Sequence, residues 1–205
     1  GSGGSVTGGG TFEYGDDATI VATPEAGHAF TNWSGNGVAN PTLSTTTASM
    51  TEDRNLTANF EVGTYTLAVA SDPTAGGSAI GGGSFAHGDP ASIAATPATG
   101  YVFSGWSGTG ITDSNASSTT VSVTSSQTIT ANFVPSTHTL ALSSSPSNAG
   151  TLTGDGSYDY GTEATITANP SPGYAFSNWS GSGITDVNSS TTTVSIDGDR
   201  NVTAN

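Results

Sequence analysis

The chain has 205 residues, 33% of them hydrophobic, no cysteine, and a net charge of −14 from 16 acidic residues against Arg54 and Arg200. That balance gives no electrostatic pull toward nucleic acid or an anionic membrane surface, and the absence of cysteine removes disulfide and thiol chemistry. No apolar run approaches the roughly 18 residues that a membrane-spanning helix needs, so neither nucleic acid nor membrane insertion is expected.

In chain order, the first motif is Gly3-Gly4-Ser5, behind a Gly1-Ser2 pair with the form of a cloning scar. Ala18, Ile20 and Ala22 then alternate with polar neighbours, the period-two pattern of a half-buried strand. Phe30-Thr31-Asn32-Trp33-Ser34-Gly35 follows, then a Ser/Thr/Asn loop over 36–47 and a run ending in Phe60. The same order then returns twice. Trp33, Trp106 and Trp179 stand 73 residues apart (106 − 33 and 179 − 106), and a fixed period marks a tandem array. The copies read as residues 1–63, 64–136 and 137–205.

The middle copy is complete. Tyr65, Leu67 and Val69 alternate with Thr66, Ala68 and Ala70, and Asp72-Pro73 with Gly76-Gly77 ends that strand in turn chemistry. Phe85 and the Gly88-Asp89-Pro90 turn lead to a second alternation, Ala91, Ile93 and Ala95, repeated as Ala164, Ile166 and Ala168. Tyr101 and Phe103 share a face with Trp106 three residues on, which predicts a β-bulge near Gly105. After a loop over 109–120, Val121 and Val123 are expected to pair across a short turn with Ile129, Ala131 and Phe133. No segment holds a 3.6-residue period. The expectation is an all-β tandem array of small antiparallel units, β-sandwich or β-grasp-like, with about six short strands each and little or no helix. Trp33, Trp106, Trp179, Phe30, Phe103, Phe176, Phe60 and Phe133 are the expected structural core. The joints, Glu61-Val62-Gly63-Thr64 and Val134-Pro135-Ser136-Thr137, are too short for a flexible tether and read as semi-stiff.

The register is cut at both ends. Tyr65-Thr66-Leu67-Ala68-Val69 and His138-Thr139-Leu140-Ala141-Leu142 have no counterpart in the first copy, and the last copy stops one residue short of the Phe seen at 60 and 133. The first copy is therefore expected to lack its first strand.

These motifs resemble a known family. Tyr-x-Leu, then Ile-x-Ala-x-Pro-x-x-Gly-Tyr-x-Phe-x-x-Trp-Ser-Gly, then Ile-Thr-Ala-Asn-Phe, is similar to the bacterial repeat domain related to the internalin B-repeat. The resemblance covers nearly the whole chain. It implies small β-grasp-like modules of secreted or surface-anchored bacterial proteins, used as stalks or spacers, some in adhesins.

Candidate chemistry is sparse. His28 aligns with Tyr101 and Tyr174, His87 with Tyr14 and Tyr160, and His138 with Tyr65, so each histidine stands where other copies place a flat amphipathic ring. No Ser/His/Asp set or carboxylate pair recurs, so no catalytic residue is assigned. Calcium is the one ligand to weigh, and no other cofactor is suggested. Asp113, Asn115, Asp186 and Asn188 place oxygen donors in one loop position, but the first copy has Asn40-Pro41-Thr42 there. Turn formation by Asp and Asn accounts for the same residues without a metal. The leading function is a stalk. The alternatives are a filament joined through an open sheet edge, and glycan or surface binding by the loops at 36–47, 109–120 and 182–193.

Overall fold

A computed structural model describes residues 3–205; Gly1 and Ser2, and with them the scar reading, lie outside the described residues. The first copy contains β1 Gly4–Thr7, β2 Asp17–Pro24, β3 His28–Ser34, β4 Thr45–Ser49 and β5 Thr57–Val62. The middle copy contains β6 Thr64–Asp72, β7 Gly77–Ile80, β8 Gly83–Ala86, β9 Pro90–Pro97, β10 Tyr101–Ser107, β11 Ser118–Ser122 and β12 Gln127–Pro135. The third contains β13 Thr137–Ser144, β14 Gly150–Thr153, β15 Gly156–Asp159, β16 Glu163–Pro170, β17 Trp179–Ser180, β18 Thr191–Ser195 and β19 Arg200–Ala204. The only helical piece among the described residues is a single 3-10 turn, Thr74–Gly76.

Contacts group the chain into two compact units, Gly1–Val69 with Ile80–Ala94 and Gly108–Ile129, and Ala70–Ala79 with Ala95–Ser107 and Thr130–Asn205. The first copy lies wholly in the first unit and the third wholly in the second. Each of the two joints also falls inside one unit, Glu61–Thr64 in the first and Val134–Thr137 in the second. They are tighter than four-residue tethers: β5 ends at Val62 and β6 begins at Thr64, β12 ends at Pro135 and β13 begins at Thr137.

The third copy shows the full architecture. One sheet has the order β15-β13-β19-β17 and the other β14-β16-β18. Their inner faces share one core: Leu140, Trp179, Val202 and Ala204 from the first sheet, Ala164, Ile166, Ala168 and Val194 from the second. The copy is thus a sandwich. Its larger sheet is not antiparallel throughout. β13 and β19, the first and last strands, run side by side in parallel from Leu140↔Arg200 to Ser144↔Ala204, each flanked by an antiparallel neighbour. That is the strand order of a β-grasp, and the second sheet covers the face.

The strand that fixes each core is the same three times. β2, β9 and β16 bury alternate residues in one pattern: Ala18, Ile20 and Ala22, Ala91, Ile93 and Ala95, Ala164, Ile166 and Ala168. Small alanines flanking an isoleucine let the opposed sheet approach while one branched side chain fills the gap.

The expected hairpin between the Val121 strand and the Phe133 strand does not form. In the first unit β11 pairs with β9, through Val121↔Ala91; in the second, β12 pairs with β10, through Phe103↔Phe133. Alternation tells which side chains face inward, but two strands that both bury one face need not bury it in the same sheet. The bulge is present, with register shifts between Phe103 and Gly105 in the middle copy and between Phe30 and Asn32 in the first. The Asn of each Thr-Ala-Asn motif secures it from the opposite strand. Asn59 Nδ2 donates to the Asn32 carbonyl at 3.2 Å, and Asn132 Nδ2 to the Gly105 carbonyl at 3.0 Å. The two most recognisable motifs of the sequence therefore meet at one bulge.

Candidate functional site

The three tryptophans are 4%, 5% and 1% exposed. The indole Nε1 donates to the Leu43 carbonyl at 3.1 Å in the first copy and to the Ser189 carbonyl at 3.0 Å in the third. Each of these rings holds its own variable loop against the core, so neither face is presented to a sugar. Phe30, Phe103 and Phe176 lie beside them with ring centroids 5.9, 5.5 and 5.5 Å away. Phe60 and Phe133 stand edge-on to Phe30 and Phe103, each 6.0 Å away.

The loop oxygens serve the backbone. Asp113 Oδ1 accepts the Asn115 N–H at 2.9 Å, and Asp186 Oδ1 accepts the Asn188 N–H at 2.9 Å. Asn40 Oδ1 accepts the Thr42 N–H at 3.1 Å at the same place in the first copy. A neutral amide performs the same turn as the two carboxylates, so the position selects a short oxygen acceptor, not a charge. No group of three or more His, Cys, Asp or Glu comes together among the described residues.

What His87 and His138 build is a joint. In the first unit the Gly63 N–H donates to the Gly27 carbonyl at 2.8 Å, and the His87 N–H donates to the Gly63 carbonyl at 2.9 Å. The His87 ring lies over Gly27, so close that a Cβ there would come 2.1 Å from its Cδ2. Tyr65 packs edge-on to His87, with centroids 5.7 Å apart. In the second unit every part recurs 73 residues later. The Ser136 N–H donates to the Gly100 carbonyl at 2.8 Å and the Tyr160 N–H to the Ser136 carbonyl at 2.8 Å. The Tyr160 ring covers Gly100, again with 2.1 Å to a built Cβ, and His138 lies 6.1 Å from Tyr160.

The middle and third copies thus each supply a ring pair, one tyrosine and one histidine, that plugs onto the glycine of the copy before it. The glycine is required twice over. Its φ is +77° at Gly27 and +82° at Gly100, a left-handed backbone that side chains resist, and the ring leaves no room for a Cβ. The third glycine of the series, Gly173, is exposed with φ +90° and nothing within 4 Å of a built Cβ. The third ring, Tyr14, is 86% exposed. Sequence register identified the interchange of Tyr and His; it did not reveal the glycine partner, because Gly27, Gly100 and Gly173 read as ordinary turn residues.

One joint carries a defect. His87 Nδ1 is buried and has no hydrogen-bond partner among the described residues. A tyrosine at that position, as at Tyr160, presents ring carbon there. Replacing His87 by phenylalanine is expected to stabilise the protein by about 1 kcal/mol, the usual cost of an unsatisfied buried polar atom. Urea midpoints of the two proteins measure this; a lower midpoint for His87→Phe would contradict it.

A family model, the divergent InlB B-repeat domain, matches the chain three times, at residues 1–64, 65–137 and 140–205. No curated protein and no solved structure matches it.

Proposed function

We propose, from the premise that this chain belongs to the divergent InlB B-repeat domain family, that its repeats are stalk or spacer modules of a secreted or surface-anchored bacterial protein. In this reading they are adhesin-like in context, perform no catalysis, and hold another domain away from the cell. The observation that carries it is the recurrent joint. Two junctions use the same glycine socket, the same pair of backbone hydrogen bonds and the same ring plug. A chain that spends its repeated features on connecting copies, and uses the carboxylates of its variable loops in turns, is built for spacing.

The test is a display experiment. One, two or three copies are placed between a cell-surface anchor and a terminal epitope tag. Antibody access to the tag on encapsulated cells should rise with copy number. Access that is independent of copy number overturns the spacer reading.

A further inference from the structure

Asn36-Gly37 is the one Asn-Gly pair in the sequence. It forms the exposed turn between β3 and the Val38↔Ala48 bridge. The turn recurs as Thr109-Gly110 and Ser182-Gly183, exposed each time, so its exposure belongs to the repeat itself. Only the first copy puts a side-chain amide there.

In the other two copies the side chain at this position is held. Thr109 Oγ1 donates to Gln127 Oε1, and Ser182 Oγ accepts from Arg200 Nη1 at 2.9 Å. Arg54 takes the place of Gln127 and Arg200 in the first copy, and its donors point elsewhere. Its Nε donates to the Ser49 carbonyl at 2.6 Å, Nη1 to Glu52 Oε1 at 3.1 Å and Nη2 to Thr51 Oγ1 at 2.9 Å. The Asn36 carboxamide therefore has no hydrogen-bond partner among the described residues.

The next peptide nitrogen is equally free. The Gly37 carbonyl accepts the Ser49 N–H at 3.0 Å, but the Gly37 N–H donates to no described group. Gly37 has φ +84° and no side chain to shield its nitrogen. The Arg54 guanidinium lies against it, so close that a built Cβ would come 2.5 Å from Cζ. A cation beside this peptide favours an anionic nitrogen and the oxyanion that its attack creates.

We propose that Asn36 is a self-modification site, where the Gly37 nitrogen displaces the side-chain amide with Arg54 as the promoting charge. The nitrogen gives up its proton to hydroxide and attacks Asn36 Cγ. A new N–C bond closes a five-membered succinimide, the Cγ–Nδ2 bond breaks, and ammonia leaves with a proton taken from water. Water then opens the ring on either side. Opening at Cγ gives aspartate; opening at the backbone carbonyl gives isoaspartate, whose main chain is one carbon longer. The net change is amide plus water to acid plus ammonia, with no oxidant or enzyme required. Either product sets a carboxylate beside Arg54. The longer chain also falls where Gly37 is bonded to Ser49 and Val38 faces the buried Ala48. Conversion thus loosens the attachment of the turn to β4, in the first copy alone.

The test is to incubate the 205-residue protein in mildly alkaline buffer and follow each asparagine by peptide mass spectrometry. The amide-to-acid mass shift should appear at Asn36 before any other asparagine, as aspartate and isoaspartate peptides that separate chromatographically. Arg54→Gln should slow it about tenfold, the effect of removing a charge that lowers the acidity constant of its neighbour by about one unit. Gln127 shows that the fold accepts glutamine at that position. Asn36→Thr, which copies Thr109, should abolish the shift in that peptide without moving the melting transition. Earlier conversion of another asparagine, aspartate without isoaspartate, or an unslowed Arg54→Gln variant overturns the inference. The spacer reading is decided separately by the copy-number experiment.

Discussion

Trp106→Ala is expected to cost about 3–5 kcal/mol, the range for removing a large aromatic from a core, and to unfold the middle copy. Trp106 is 5% exposed, packs edge-on against Phe103 at 5.5 Å, and sits opposite Ala131 across the β10-β12 ladder. A copy of about seventy residues buries only about 60% of its unfolded surface and has little stability in reserve. A loss of this size corresponds to a fall in melting temperature of about 12–40 °C for a unit this small. Circular dichroism melts give the shift, and hydrogen exchange shows whether protection disappears in residues 64–136. A complete, unshifted transition in the mutant would refute the assignment of the tryptophan as the anchor of its copy.

The joint makes a prediction with an internal control. Gly100 and Gly173 have nearly the same backbone, φ +82° and +90°, and both lie in the second unit. Alanine at either position incurs the left-handed penalty, about 1–3 kcal/mol for a residue other than glycine. Only at Gly100 does the new methyl meet a ring, 2.1 Å from Tyr160 Cδ1; at Gly173 it meets nothing. Gly100→Ala should therefore destabilise the protein by about 1–3 kcal/mol more than Gly173→Ala, the usual cost of overpacking. A further Tyr160→Ala substitution should cost less in the Gly100→Ala background than alone, because the clash disappears with the ring; a double-mutant cycle isolates that coupling. Equal denaturant midpoints for the two glycine variants would show that the plug contributes nothing.

Much of this was legible in the sequence, for identifiable reasons. The 73-residue period, the Ala-Ile-Ala alternation and the Gly105 bulge are local signals, and they locate strands and core residues. The same ruler reduced three histidines to substitutes for tyrosine. Strand pairing was not legible. Val121 and Phe133 each sit in an alternating run, and nothing local assigns one to the β9 sheet and the other to the β10 sheet. The parallel placement of β13 beside β19 links residues 60 apart, a separation that no turn motif encodes. The loop at Asp113 and Asp186 was ambiguous for another reason. The residue types that ligate a hard cation are those that close a short turn, and the turn role of Asn40 is visible only in its bond to Thr42.

The socket and plug also bear on how a gene for such an array can change. Each ring pair belongs to one copy and each glycine to the copy before it, so a duplicated copy arrives with its own plug and leaves its own socket open. Unequal crossing-over between near-identical copies would lengthen or shorten the array in steps of one period without any junction having to be invented. Tyr and His exchange places between the two junctions, so either ring serves at either position of the plug. Array length is then a trait that recombination can tune, while each interface stays as it was.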